Sequence, residues 1–127
     1  MKVDKKNVGL LLLRLGVGVV FAMHGWEKLN GIEGVVSMFA GLGLPASIAW
    51  LVAGVEFLGG LALIAGIWTD KAGYLLAVIM LFAIVMVHGR NGFSLQAGGY
   101  EYVLVLLTSS LAAAKLGPGS YVLKQKK

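Results

Sequence analysis

Four apolar segments, running roughly from Val8 to Met23, Ile48 to Trp68, Ala72 to Val87 and Tyr102 to Leu116, constrain this chain more than anything else in it. Each approaches the ~20 residues that cross a bilayer. In hydrocarbon a backbone must satisfy its own N–H and C=O groups, which leaves only helices and closed barrels as spanning elements. None of the four segments alternates with the period of a barrel strand. The expected fold is therefore all-α: an integral membrane bundle of four transmembrane helices forming a single domain over residues 1–127. The spans fall near 8–26, 46–68, 71–89 and 99–117. At 1.5 Å per residue the shorter runs reach ~24 Å against a hydrocarbon core of ~30 Å, so either the helices extend a turn further or the bilayer thins. A composition 58% hydrophobic and 13% charged agrees, being far more apolar than a soluble domain.

Lys2, Lys5 and Lys6 before an apolar run resemble a secretory signal. The cleavage region would be Phe21 to Gly25, where bulky residues stand in place of small ones and a second span follows, so the segment reads as a retained first span. Alternating spans gather Lys2, Lys5, Lys6, Lys71, Lys115, Lys124, Lys126 and Lys127 on one side, leaving Lys28 and Arg90 on the other. The positive-inside rule then makes both termini cytoplasmic. The net charge of +5 reflects this topology and contact with anionic lipid. No nucleic-acid motif accompanies it. Trp26 and Trp50 fall at the outer ends of the first two spans, and Trp68 and Tyr74 flank the inner turn, as interfacial aromatics do. The outer loop, residues 27–45, holds Ile32, Val35, Val36, Phe39 and Leu42 at helical spacing, a short amphipathic piece suited to the interface.

Charge in hydrocarbon is costly and marks a partner or a function. Arg14 lies ten residues before His24, hence ~15 Å below the outer end of its span, and Glu56 lies six residues after Trp50, ~9 Å deep. Similar depths suggest a structural ion pair, Arg14 to Glu56, joining the first two helices. Arg14, Gly18, Phe21, Gly25 and Lys28 share one stripe, which should face inward, and small residues there let backbones approach.

A second polar set, His24, Lys28, His88, Arg90 and Glu101, collects at the outer span ends. Two imidazoles beside a carboxylate can relay protons near neutral pH and can hydrogen-bond the oxygens of a quinone ring. The same residues could instead face headgroups or bond to loop backbone. Axial haem ligation or a His–Glu metal site is a further use of paired histidines, but no local spacing motif supports either, and neither metal nor haem is expected. With no cysteine, dithiol chemistry and iron–sulfur clusters are excluded.

The segments Leu13-Arg14-Leu15 and Phe21-Ala22-Met23-His24-Gly25-Trp26-Glu27-Lys28-Leu29 are followed by Glu56-Phe57-Leu58-Gly59-Gly60 and Gly66-Ile67-Trp68-Thr69. His88-Gly89 then precedes Gly92-Phe93, and Tyr100-Glu101-Tyr102 precedes Gly117-Pro118-Gly119. In this order, from about Leu10 to Gly119, they resemble the DoxX family; the basic Lys124-Gln125-Lys126-Lys127 tail lies outside the likeness. The resemblance implies a four-helix protein of the bacterial or archaeal cytoplasmic membrane, in a family first associated with a membrane-bound thiosulfate:quinone oxidoreductase and also reported as membrane partners of soluble redox-defence enzymes. The family's recurring polar positions match Arg14, His24, Lys28, Glu56, His88 and Glu101.

The resulting expectation is a membrane subunit of a quinone-linked oxidoreductase that binds a quinone-like ligand near the outer face and works with a redox partner protein or as a homo-oligomer. His24, His88 and Glu101 carry the catalysis. Lys28, Arg90 and Trp26 bind ligand, and Arg14 with Glu56 holds the scaffold. A non-catalytic scaffold or assembly protein is the rival class. A small-solute transporter is disfavoured by short helices and the absence of a broken-helix repeat.

Overall fold

A computed structural model describes residues 4–123. The expected basic tail at 124–127 lies outside the described residues. Helix α1, Lys5–Asn30, begins at Asp4, whose carboxylate caps it by accepting from Lys6 N at 2.9 Å. A single residue, Gly31, separates it from α2, Ile32–Gly41. Helix α3, Ala46–Ala65, follows Pro45. Gly66, at φ 77°, ends α3, with the N–H of Ile67 returning to Ala62 O at 3.0 Å as in a Schellman turn. Helix α4, Thr69–Ala83, runs directly into a π-helical turn, Ile84–His88, and a 3₁₀ turn, Gly89–Asn91. After a loop containing one further 3₁₀ turn, Leu95–Ala97, comes α5, Glu101–Leu116. No strand occurs among the described residues.

Three of these stretches are long and apolar enough to cross a membrane: Lys5–Asn30, Ala46–Ala65 and Thr69–Asn91. α1 starts earlier and ends later than the apolar run predicts, because its last turns are polar yet remain helical. The amphipathic piece expected in the loop is α2. Its Phe39 is buried against Ala49 and Val52 of α3 and tilts over Phe82 of α4 at 6.1 Å, so α2 closes one end of the bundle.

The bundle is held most closely at α1 and α3. A Cβ added to Gly25 would collide with the backbone of Phe57, and one added to Gly60 would collide with Ala22, so these glycines set the distance between the helices. Arg14, Gly18, Phe21 and Gly25 are all buried, as the stripe predicts. Gly16 and Gly54, by contrast, have nothing within 4 Å of an added Cβ and take no part in the interface. Beside this contact, Val17, Phe21 and Leu63 pack on Leu76, Met80 and Leu106, which makes α4 and α5 the other half of the core.

Candidate functional site

The register of α1 on α3 decides which charges meet. Gly25 lies against Phe57, and Ala22 lies against Gly60. Level with Glu56 is therefore the last part of α1, and level with Arg14 is the last turn of α3. The expected Arg14 to Glu56 pair does not form. Lys28 Nζ donates to both oxygens of Glu56, at 2.8 and 2.6 Å, and the carboxylate is only 1% exposed against 27% for Lys28. The expectation failed because it took His24 as the end of the first span. α1 continues six residues further, to Asn30, which sets Arg14 ~9 Å deeper than supposed and brings Lys28 within reach.

Arg14 is 1% exposed and is satisfied entirely by main chain. It donates to Leu63 O at 3.1 Å, Ile64 O at 3.4 Å, Pro118 O at 2.5 Å and Tyr121 O at 2.7 Å. The first two are carbonyls in the last turn of α3, where the helix leaves acceptors unpaired and its dipole favours a cation. The other two belong to the segment after α5, so a single guanidinium ties the C-terminal segment to the end of α3. Leu123 N adds a bond to Ala65 O at 3.0 Å, and Ser120 N one to Asn7 Oδ1 at 3.0 Å.

At the other end of the bundle, His24, Lys28, Glu56, His88 and Tyr102 line a cavity of about 180 Å³ that reaches Leu106 in the core. A second cavity of about 180 Å³ lies beneath α2, walled by Phe39, Phe82 and Val87, and it too is lined by Lys28, Glu56 and His88. The ion pair and one imidazole thus stand between two small chambers. His24 comes from α1, and its ring centroid is 6.0 Å from that of Tyr102. His88 is delivered by the π-helical turn at the end of α4, a rare geometry often found at functional positions.

The loop after α4 fixes His88. Its Nδ1 lies 2.8 Å from Gly98 O; a carbonyl only accepts, so Nδ1 carries the proton and Nε2 is left for other partners. Asn91 Nδ2 donates to the same carbonyl at 3.2 Å. Tyr100 N and Glu101 N each bond back, to Gly92 O and Phe93 O, both at 2.9 Å. Glu101 is the carboxylate expected to act beside the two imidazoles. Its Oε1 accepts instead from Leu95 N at 2.7 Å, capping the 3₁₀ turn, so it reaches His88 only through the loop that both hold. Arg90 is exposed and donates to Met86 O at 3.1 Å, and Trp26 is 52% exposed and stacks at a tilt on Phe57 at 5.7 Å. Neither lines the two cavities. No cluster of three or more metal-ligating side chains occurs among the described residues.

Tyr102 as a cavity residue was not foreseen, though its position one residue after Glu101 at the start of α5 carried the hint. The acceptors of Arg14 were also missed. Glycines around Pro118 mark a segment whose carbonyls are not used in a helix, and Gly117 and Gly119 do lie at positive φ.

The DoxX family profile matches residues 9–89, which contain Arg14, His24, Lys28, Glu56 and His88. The chain belongs to the DoxX family. Among relatives of this DoxX protein, "Putative oxidoreductase CatD" of Bacillus subtilis is 35% identical over 106 residues, 84% of this chain and 78% of that protein. "Inner membrane protein YqjF" of Escherichia coli is 28% identical over 116 residues, 91% of this chain and 89% of that one. An uncharacterized protein of Haemophilus influenzae is 35% identical over 121 residues, 92% of this chain and 89% of its own length. No solved structure matches. The DoxX protein is thus a helical membrane protein with polar groups gathered at both ends of its bundle.

Proposed function

We propose that this DoxX protein is the membrane subunit of a quinone-linked oxidoreductase and holds a quinone-like ring between His24 and His88. The observation that carries the reading is the pair of cavities sharing Lys28, Glu56 and His88, polar at one wall and otherwise apolar, next to a π-helical turn. Together they reach the lower end of the size range of small-molecule sites. Bound quinone supplies two-electron, two-proton redox chemistry; the electrons come from, or pass to, a partner subunit carrying its own redox centre. Within the chain, His88 has Nε2 available to bond a ring oxygen or exchange a proton, because Gly98 O already holds Nδ1. His24 stands across the cavity as the second such group. Lys28, held in place by Glu56, would set a positive charge beside the ring. Glu101 positions the loop that positions His88.

The reading has a topology. α5, with 16 residues, spans ~24 Å and packs along α4 as a fourth crossing helix in a locally thinned bilayer. The lysine distribution puts both termini in the cytoplasm and the histidine cavities near the outer face of the inner membrane. The name of the Bacillus subtilis relative, an oxidoreductase, supports the redox class, and that of the Escherichia coli relative, an inner membrane protein, supports the location.

A second reading, a non-catalytic scaffold or assembly protein, is favoured by one observation. Arg14, a buried charge, is fully used in fastening the segment after α5 to the end of α3. The two are separated by mass spectrometry of a lipid extract from gently purified protein, with a visible spectrum of the same sample, for the wild type and the His24→Ala, His88→Ala variant. Stoichiometric quinone that the variant loses supports the redox subunit. A Soret band would replace quinone by haem. Neither quinone nor chromophore in well-folded protein would favour the scaffold.

A further inference from the structure

The larger recesses share no lining residue with the histidine cavities. One cavity of about 580 Å³ lies between the α3–α4 turn and the segment after α5, lined by residues 66–71, 117–119 and Val122. Its surroundings are electropositive for three separate reasons. Arg14, whose partners are all neutral carbonyls, stands directly behind Gly66 and Pro118. α4 begins here without a side-chain cap, so the N–H groups of its first turn and the positive end of its dipole are at the wall. Lys71 adds an exposed cation, against which Asp70 is the one acidic residue of the lining. Thr69 is 2% exposed, and its hydroxyl has no hydrogen-bond partner among the described residues, a buried polar group left for something the fold does not supply.

An electropositive cavity alone would accept any phosphate, and its continuation narrows the choice. A groove of about 740 Å³ shares Ile67, Trp68 and Lys71 with it and runs between α3 and α4, past Ala62, Leu58 and Gly54, to Trp50. Apart from Lys71 its lining is apolar, and from residue 50 to 65 it extends ~23 Å along α3. Where the two recesses join stands Trp68, more than half exposed and held at φ 49°, a left-handed conformation that costs a non-glycine residue and recurs at ligand clamps. An acyl-length apolar slot joined end-on to an anion-favouring cavity has the outline of one phospholipid.

We propose that the α3–α4 groove is a specific site for an anionic phospholipid, its phosphate at Lys71 and the first turn of α4 and one acyl chain lying along the groove toward Trp50. The site shares no lining residue with the histidine cavities and stands whether or not they bind quinone.

The test is thermal unfolding and native mass spectrometry of the full chain in a neutral detergent, titrated with phosphatidylglycerol, phosphatidylcholine or inorganic phosphate. Phosphatidylglycerol should bind at least about fivefold more tightly than phosphatidylcholine, the factor that one basic side chain confers toward anionic lipid. Lys71→Gln should abolish most of that ratio. Gly54→Phe, which puts a ring into the groove from a position with open space at its Cβ, should weaken both lipids. Equal affinity for the two lipids, or a ratio unchanged in Lys71→Gln, would overturn the headgroup assignment. Stabilisation by inorganic phosphate alone would show a free-anion site instead of a lipid site. Unchanged binding in Gly54→Phe, or a dimer that excludes lipid from the groove, would overturn the chain assignment.

Discussion

Removing Lys28 and removing Glu56 should not be equivalent, because the two partners are buried to different extents. Lys28→Met leaves Glu56, at 1% exposure, without its cation inside the bundle. Breaking a buried pair from that side costs roughly 3–5 kcal/mol. Glu56→Gln leaves Lys28, which is 27% exposed on the last turn of α1 and has a flexible stem to carry its ammonium toward headgroups. The loss is then nearer that of a hydrogen bond to a charged group, about 1.5–3 kcal/mol. The double variant Lys28→Met, Glu56→Leu removes both charges and replaces them with apolar volume. It should recover most of the loss of Lys28→Met, since a buried ion pair and a well-packed apolar pair are often close in stability. The assay is reversible unfolding in mixed micelles, with the coupling energy taken from the full cycle. Equal costs for the two single variants, and a double variant that is merely their sum, would refute the argument that burial asymmetry governs this pair.

Other outcomes follow from the same geometry. Arg14→Leu should destabilise the protein by about 3 kcal/mol or more, the scale of several lost charged hydrogen bonds, and should free the segment after α5. Hydrogen exchange at residues 117–123 would rise sharply, while Arg14→Lys, with fewer donors, would fall between. Gly25→Leu should prevent closure of α1 on α3 and yield no monodisperse protein, whereas Gly16→Ala, with open space at its Cβ, should stay within ~1 kcal/mol of wild type by thermal melting. Glu101→Ala should loosen the 92–100 loop, seen as faster exchange at Leu95 N–H, and, under the proposed quinone-binding role, lower quinone occupancy without changing the yield of folded protein. If occupancy is untouched while Leu95 exchanges freely, the loop does not position His88 for the ligand.

Much of the fold was legible because lipid solvent leaves so few alternatives. Apolar runs gave the helices, and the stripe of Arg14, Gly18, Phe21 and Gly25 correctly gave the buried face of α1. What the sequence did not disclose was register. The end of an apolar run is not the end of a helix, and treating His24 as the terminus moved every depth on α1 by almost two turns. That one error exchanged the partners of Arg14 and Glu56. His24, Lys28 and His88 do line one cavity, and their shared place at the outer span ends is what pointed to them. Arg90 and Trp26 were assigned to ligand from charge and ring alone, and both face elsewhere. The role of Glu101 depended on loop hydrogen bonds that no periodicity encodes. Arg14's acceptors were main-chain carbonyls, which a search for opposite charges cannot see.

The π-helical turn at Ile84–His88 sets the azimuth of a single side chain. Each residue of an α-helix advances ~100° around the axis, and a π turn accommodates one residue more than the α-helical winding would. Five residues wound as a π turn sweep about the same arc as four wound as α-helix. Deleting one position between Ile84 and Val87 would therefore rewind the end of α4 as plain α-helix and keep the imidazole in the wall between the two chambers, whereas forcing all five residues into α-helical winding would swing it roughly a quarter-turn out. In aligning relatives of this chain, a one-residue gap there is the change that leaves the second histidine in place.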